Sequence, residues 1–276
     1  MKRDYLKLVF CLTAVYFFIE LAGGLYYNSL ALVTDASFMA INLAGQIMAH
    51  YAKWLSQKPP DKSMTFGYER AKVLSGLFNG LALGFVLFYV LVDAIKRMAA
   101  PEPLDTGNVL NIAIIGLLVN GFGMVALFSR SNDVNMRGPF LLILNDTLGS
   151  IGVIASSLII KWTGLYVIDA VTSVLIGLLI VFPTYHLIKE NLNILMEGIP
   201  SQIDIEKVEI FLRERFTHIT RVDDLHVWAL IPEKALLAAK LKMDGAFYDR
   251  QDVAKLKQVL KEKFGFHDVY LEIEEN

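Results

Sequence analysis

Long apolar segments separated by short polar ones run from Leu8 to Ile188. A helix needs about 20 mostly apolar residues to cross the hydrocarbon core of a bilayer. The segments that meet this length are Leu8–Tyr27, Leu30–Trp54, Val73–Met98, Val109–Phe128, Phe140–Trp162 and Val167–Ile188. The pattern therefore predicts an all-α membrane bundle of six transmembrane helices.

The second and fifth predicted helices carry more polar residues than a lipid-facing helix tolerates. These polar residues are Thr34, Asp35, Ser37 and Asn42 in the second helix, and Asn145, Asp146 and Thr147 in the fifth. Polar side chains at membrane depth face the interior of a bundle or a water-filled cavity. We therefore expect these two helices to line a pathway.

The composition changes after Gly198, where charged residues become frequent and the apolar segments become short. Helical spacing alternates there with strand-like patterns in the order αββαβ. The predicted elements are Asp204–Phe216, Asp224–Leu230, Ala235–Met243, Asp252–Phe264 and Asp268–Ile273. The chain thus divides into a transmembrane domain, 1–197, and a cytosolic α+β domain of ferredoxin-like type, 198–276. A domain this small has a marginal core, which favours a homodimer.

The positions of Lys and Arg predict the orientation, because basic residues accumulate in cytoplasmic loops. With the N-terminus inside, the inner segments hold Lys2, Arg3, Lys7, Lys53, Lys58, Lys62, Arg70, Lys72, Arg130, Arg137 and Lys189. The outer segments hold Lys96, Arg97 and Lys161. Both termini are therefore predicted to be cytosolic. The short loops are typical of prokaryotic transporters, which predicts the plasma (inner) membrane and contact with its lipids.

Composition excludes several other classes of protein. The chain is 55% hydrophobic with a net charge of −2, so no basic field attracts nucleic acid. A single cysteine, Cys11, builds neither a disulfide framework nor a cysteine zinc site. We find no nucleophile triad, phosphate-binding glycine loop or nucleotide fingerprint. The sequence predicts that the protein is not an enzyme and requires no cofactor.

Short motifs occur in a characteristic order along nearly the whole chain. They are Ser29–Leu32 with Asp35, Phe66–Leu74, Asn135–Gly138, Leu148–Val153, Asp169, Asn193–Gly198 and Leu225–Trp228. In their order and spacing they resemble those of the cation diffusion facilitators, the zinc-transporter family. The resemblance implies six spans, a cytosolic dimerisation domain and export of a divalent cation in exchange for protons.

The family's transport site has two ligands four residues apart on helix two and two more on helix five, drawn from His and Asp. Residues four apart share a helical face, so two facing helices present four ligands, as tetrahedral zinc requires. The matching positions here are Phe38 and Asn42, then Leu142 and Asp146. Two of these side chains are hydrocarbon and one is a neutral amide. The resemblance therefore implies a degenerate site in which Asp146 is the remaining acidic ligand.

A displaced site offers one way to retain transport. Asp35 lies one turn further out on the face of Phe38 and Asn42, and could approach Asp146 across the pathway. An all-oxygen site of this kind favours cations such as Mn²⁺ or Mg²⁺ over zinc. In the alternative interpretation, Asp35 satisfies a helix end or neighbouring polar groups. Glu20 in helix one also has two alternative roles: it packs within the bundle, or it relays protons.

The cytosolic domain contains residues that resemble a second metal site of the family, formed by histidines and acids across the dimer interface. His226 matches one such position, and Asp268 with His267 beside it lies near another. Lys240 stands where a histidine is expected. The alternatives are that His226 is a structural histidine and that Lys240 is a solvated lysine or replaces a bridging metal with an ion pair.

These observations lead to two hypotheses. In the first, a homodimer transports zinc or another divalent cation by proton antiport, with most of the usual ligands replaced. In the second, the protein is a transport-inactive partner or regulatory subunit that forms a heterodimer with an intact family member.

Overall fold

The computed structural model describes the backbone of residues 2–128, 134–215, 219–243 and 250–275, and the side chains of residues 11–125, 141–214, 219–243 and 253–274. Six long helices come first: α1 (Lys2–Tyr26), α2 (Leu30–Ser56), α3 (Ala71–Ala99), α4 (Thr106–Phe128), α5 (Val134–Thr163) and α6 (Val167–Leu195). They are followed by α7 (Ile205–Arg215), β1 (Ile219–Ile231), β2 (Lys234–Met243), α8 (Arg250–Phe264) and β3 (Phe266–Glu275). The predicted all-α bundle followed by an αββαβ unit is confirmed.

The long helices have the length and surface of membrane spans. Five of them, α2 to α6, are long and apolar enough to cross a bilayer over their described residues. The described side chains of α1 cover Cys11–Tyr26, but the helix itself has 25 residues. At 1.5 Å per residue it extends roughly 37 Å, which also spans the hydrocarbon. Large apolar side chains point outward over more than half of their surface, among them Phe18, Phe85, Phe88 and Phe182.

Several helices extend further than hydropathy predicts. The last long helix, α6, continues to Leu195, beyond the predicted end at Ile188, and α5 begins at Val134 before the predicted start at Phe140. Hydropathy detects the part of a helix that suits lipid, whereas backbone hydrogen bonding continues into polar residues outside the bilayer. The segment between the fourth and fifth predicted helices includes residues 129–133, which lie outside the described part of the chain.

By contacts the chain divides into two compact units. The first comprises Met1–Ile47 and Phe78–His186, and the second comprises Met48–Leu77 and Leu187–Asn276. The first unit has an apolar core formed by α2 to α6. Its buried members are Ala31, Leu32, Phe38, Leu83, Val109, Ala113, Val153 and Ile176. The sequence-based domain boundary at 197/198 remains a prediction, since it rests on composition.

Asp169, near the start of α6, holds the start of α2. Its carboxylate accepts hydrogen bonds from the Ser29 hydroxyl at 2.8 Å and from the backbone amides of Leu30 at 2.5 Å and Ala31 at 3.3 Å. The first amides of a helix have no partner within the helix, and acidic oxygens are suitable acceptors for them. Asp169 is 3% exposed, so these hydrogen bonds are shielded from water. This capping interaction fixes α2 one turn before Asp35.

Replacing Asp169 with alanine should therefore destabilise the bundle. Hydrogen bonds to a charged group contribute about 1.5–3 kcal/mol each, and the loss leaves buried donors without partners. We expect Asp169→Ala to lower the free energy of unfolding by at least about 2 kcal/mol. Thermal unfolding of the purified protein in detergent measures this change. Asp169→Asn keeps one oxygen acceptor and should lose less, whereas equal stability of all three proteins would contradict the capping role.

The second unit contains the cytosolic sheet, with strand order β1-β2-β3. The β1–β2 pair is antiparallel and the β2–β3 pair is parallel. Both α7 and α8 pack on one face through Val208, Leu212, Leu256 and Leu260, against sheet residues that include Leu237 and Leu241. The ferredoxin-like prediction, with helices on one sheet face, agrees with this arrangement.

The first strand begins at Ile219, earlier than the predicted start at Asp224. The pairing with β2 shifts between Asp223 and His226, and Asp224 has a positive φ of 47°. Such a bulge adds an unpaired residue and interrupts the alternation of buried and exposed side chains. The alternating pattern was therefore recognisable only beyond the bulge.

The second unit also includes the ends of α2, α3 and α6. A small apolar cluster joins Val73 of α3, Ile194 of α6 and Ile231 of β1. Two ion pairs lie in the same unit: Lys234 with Glu69 at 2.5 Å, and Arg70 with Glu197 at 3.0 Å. Ile231 and Lys234 thus attach the sheet to the helix ends, and the Arg70–Glu197 pair joins the start of α3 to the end of α6.

Candidate transport site

Asp146 lies within α5 and is 8% exposed. A carboxylate at membrane depth is costly without a partner, which makes it a candidate for function. The neighbouring Thr147 hydroxyl donates to the Ile143 carbonyl within the same helix, at 2.7 Å, and so satisfies itself locally. Within the described part of the chain, no Lys, Arg or His forms an ion pair with Asp146. Its carboxyl group is therefore available to another group or a passing cation.

Asp35 reaches the same face of α5. It is 2% exposed, and a Cβ placed on Gly149 would lie 2.7 Å from its Oδ1 atom. Gly149 follows Asp146 by three residues and thus lies on the same helical face. The two carboxyl groups are close enough to interact electrostatically. The structure brings Asp35 and Asp146 together, and a glycine on α5 provides the space for this approach.

The other three positions that match the family's ligands differ in how deeply their side chains are buried. Phe38 is 1% exposed and belongs to the apolar core of the bundle. Asn42 and Leu142 are half-buried. Neither a benzyl nor an isobutyl group has a lone pair, so these positions provide at most the Asn42 amide and the Asp146 carboxylate.

Among the residues with described side chains, no three His, Cys, Asp or Glu form a group that could hold a metal ion. A cation bound among these described side chains would be held by at most two such groups, together with amide, hydroxyl or water oxygens. Oxygen ligands of this kind are typical of Mg²⁺, Ca²⁺ and Mn²⁺ sites. Asn42 on α2 and Asn120 on α4 carry amide oxygens.

Sequence reasoning did not single out Tyr16, and it left Glu20 between packing and proton relay. Both are in α1 and are at most 1% exposed, and the Tyr16 hydroxyl donates to Glu20 Oε1 at 3.1 Å. The carboxyl group of Glu20 interacts with that of Asp35. The available signal was the spacing: a tyrosine and a glutamate four residues apart lie on one face of an otherwise apolar helix.

The candidates in the cytosolic domain lie on different strands. His226 of β1 pairs with Ala238 of β2, whereas Asp268 of β3 pairs with Leu236. The middle strand β2 therefore separates His226 from Asp268 within one chain. Asp268 forms an ion pair with Lys261 at 3.0 Å, and the neighbouring His267 is exposed. A metal site formed by His226, His267 and Asp268 remains a prediction.

Lys240 has an acidic partner rather than a free ammonium. Its Nζ atom lies 3.1 Å from Asp224 Oδ2, and Glu272 is its neighbour on β3. The adjacent Asp224 carboxylate raises the pKa of Lys240 above its usual value. An ammonium has no lone pair, so Lys240 contributes an ion pair here and no metal ligand.

Comparison with known proteins gives matches over both parts of the chain. Residues 6–196 match the cation efflux transmembrane domain, and residues 200–276 match the cytoplasmic, dimerisation-type domain of cation efflux proteins. The metal cation efflux system protein CzcD of Cupriavidus metallidurans is 35% identical over 271 residues, which cover 98% of this chain and 85% of the relative.

Two further relatives have more specific names. The cadmium, cobalt and zinc/H(+)-K(+) antiporter of Bacillus subtilis is 31% identical over 263 residues, which cover 94% of this chain and 83% of the relative. The zinc transporter ZitB of Escherichia coli is 33% identical over 236 residues, which cover 85% of this chain and 75% of the relative. These relatives are transporters. An apolar helical bundle followed by this cytosolic domain, with matches along nearly the whole chain, shows that the protein is an integral membrane protein of the cation diffusion facilitator family of metal-cation transporters.

Proposed function

We propose that the protein exchanges a divalent metal cation for protons, with Asp146 as the principal ligand and Asp35 and Asn42 as further oxygen donors. The observation that carries this proposal is the approach of Asp35 to the Asp146 face of α5 across Gly149. Within the described residues, two buried carboxyl groups without a basic partner bring acidic oxygens together between α2 and α5. When both are ionised, a dication neutralises their charge more fully than a single proton does.

The donor set favours a cation that prefers oxygen. Asp146, Asp35 and Asn42 offer carboxylate and amide oxygens, without the imidazole nitrogens that suit zinc. Mn²⁺ and Mg²⁺ are therefore the first substrates to test, with zinc as the comparison because relatives carry that metal in their names. The antiporter name of the Bacillus relative supports proton exchange. With no histidine at the four ligand positions, the carboxylates are the groups left to exchange protons.

The second candidate function is that of a transport-inactive partner. It is favoured by the burial of Phe38 in the apolar core, where the family places a ligand. A chain of this kind keeps the bundle and the dimerisation domain and forms a heterodimer with an intact relative. The first proposal instead uses a homodimer in the plasma membrane, with both termini in the cytosol and no cofactor.

Flux measurements in proteoliposomes separate the two functions. Purified protein is reconstituted with a pH-sensitive dye inside, and Mn²⁺, Mg²⁺ or Zn²⁺ is added outside, one at a time. Proton movement that depends on one of these metals and exceeds that of protein-free liposomes supports transport. No flux for any metal contradicts it. The partner function predicts that result for the chain alone, together with co-purification with an intact family member.

A further inference from the structure

Glu20 is a buried acid that the proposed transport site does not use. It has no exposed surface, although it lies within a membrane helix. One carboxylate oxygen, Oε1, accepts the hydrogen bond from Tyr16 at 3.1 Å. The other, Oε2, has no hydrogen-bond partner among the described residues. An acid this deeply buried with a free oxygen requires a compensating group.

A second buried carboxyl group beside Glu20 increases this requirement. Asp35 on α2 interacts directly with Glu20, and its Oδ2 is likewise buried without a partner. When both carboxyl groups are ionised they only accept hydrogen bonds, so in that state they cannot satisfy one another. Two negative charges in a medium of low dielectric also repel strongly. A proton shared between the two carboxyl groups removes both problems, and so does a metal cation held between them.

Neutral oxygens surround the same position. Ser150 follows Gly149, against which Asp35 packs, and it interacts with the Tyr16 hydroxyl. The Asn120 Nδ2 group donates to Ser150 Oγ at 3.4 Å, which leaves Asn120 Oδ1 buried without a partner. Carboxylate, amide and hydroxyl oxygens from α1, α2, α4 and α5 therefore meet here. Such an all-oxygen set is typical of Mg²⁺ and Mn²⁺ sites.

We propose that Glu20 and Asp35 form a binding position for an oxygen-preferring divalent cation, with Asn120 Oδ1 as a neutral ligand and water completing the shell. It includes Glu20 of α1, whereas the family's ligand positions are on α2 and α5. It uses two carboxylates, in agreement with the absence of a three-residue His, Cys, Asp or Glu group among the described side chains. The proposal rests on the proposed function in one respect, namely that a divalent cation enters the interior of the bundle.

Binding of Mn²⁺ to the purified full-length protein tests this position, because free Mn²⁺ is quantified by electron paramagnetic resonance. The variant Glu20→Gln keeps the shape and an oxygen acceptor for Tyr16 but removes the charge. We expect it to weaken Mn²⁺ binding at least about tenfold, the lower range for altering a metal's surroundings. The matched control is Asp93→Asn, which removes a carboxylate from α3 that is paired with Arg97 at 3.2 Å. The control should bind Mn²⁺ like the wild type.

A second variant keeps the test decisive if Glu20→Gln does not fold. Asn120→Ala retains both carboxylates and removes only the neutral ligand. We expect a smaller loss of affinity, about three- to tenfold, as for one neutral polar contact. The midpoint of thermal unfolding with and without Mn²⁺ then reports binding independently, because a bound ligand stabilises the folded state.

The outcomes distinguish this inference from the proposed function. Mn²⁺ binding that survives Glu20→Gln and Asn120→Ala but is lost in Asp146→Asn would overturn the inference and leave the proposed function standing. A wild-type protein that binds no Mn²⁺ at millimolar concentration would overturn the inference. Transport of another metal by that protein would still support the proposed function.

Discussion

Replacing Asp146 with asparagine is expected to reduce metal-dependent flux to the level of protein-free liposomes. Asp146 is the one acid among the four positions that match the family's ligands, and it lies buried where Asp35 approaches α5. Asparagine has nearly the same shape but no charge, so the change removes a carboxylate ligand and a proton acceptor while keeping the packing. We expect the affinity for the transported metal to fall at least about tenfold. Stopped-flow dye measurements in proteoliposomes, together with calorimetric titration, give both quantities.

The control for Asp146→Asn is again Asp93→Asn, which makes the same chemical change at the far end of α3, where Arg97 pairs with the acid. This control should transport like the wild type. Equal flux from the wild type and Asp146→Asn would show that the cation does not use Asp146. If neither protein transports, the result favours the transport-inactive partner.

Restoring the family's ligands is expected to create zinc binding that the natural sequence lacks. The triple variant Phe38→His, Asn42→Asp and Leu142→His, with the natural Asp146, gives two pairs of ligands spaced four residues apart. Four nitrogen and oxygen ligands on facing helices suit tetrahedral zinc. We expect zinc affinity to rise at least about 100-fold, since two hydrocarbon side chains and one amide become ligands. Calorimetry with zinc measures the change.

The triple variant should also lose stability without metal. Phe38 is fully packed among apolar residues of the bundle, and replacing a large buried side chain with a smaller polar one leaves a cavity and an unsatisfied group. The midpoint of thermal unfolding should fall in a chelator and recover with zinc. Adding Asp146→Asn to the triple variant should remove most of the gained affinity. A folded triple variant that binds zinc no better than the wild type would show that these positions do not converge.

Much of the fold could be predicted from local pattern. Six apolar segments indicated α1 to α6, because a span has a minimum length and cannot leave backbone groups unsatisfied in lipid. The order of α7, β1, β2, α8 and β3 followed from the change between helical and alternating spacing. The boundaries were less accurate at β1 and at the polar ends of α5 and α6, where hydrogen bonding continues after the pattern has ended.

The candidate site was predicted in part. The ligand positions on α2 and α5 came from motif order and regular helical spacing, which sequence encodes directly. The cap that Asp169 provides for α2 joins residues 139 positions apart, and no local pattern predicts such a contact. The same is true of the Asn120–Ser150 hydrogen bond. These interactions depend on how the helices pack.

The sequence by itself determined that this chain crosses a membrane, carries a small cytosolic domain, and lacks the usual histidines at the matching ligand positions. These properties depend on side-chain chemistry and on spacing within one helix. Only the tertiary structure decided that Phe38 is enclosed in the apolar core, and that Asp35 lies beside Glu20 of α1 and approaches α5 at Gly149. The physical reason is that burial and electrostatic interaction depend on the distance between helices, which the pattern along any single helix does not specify.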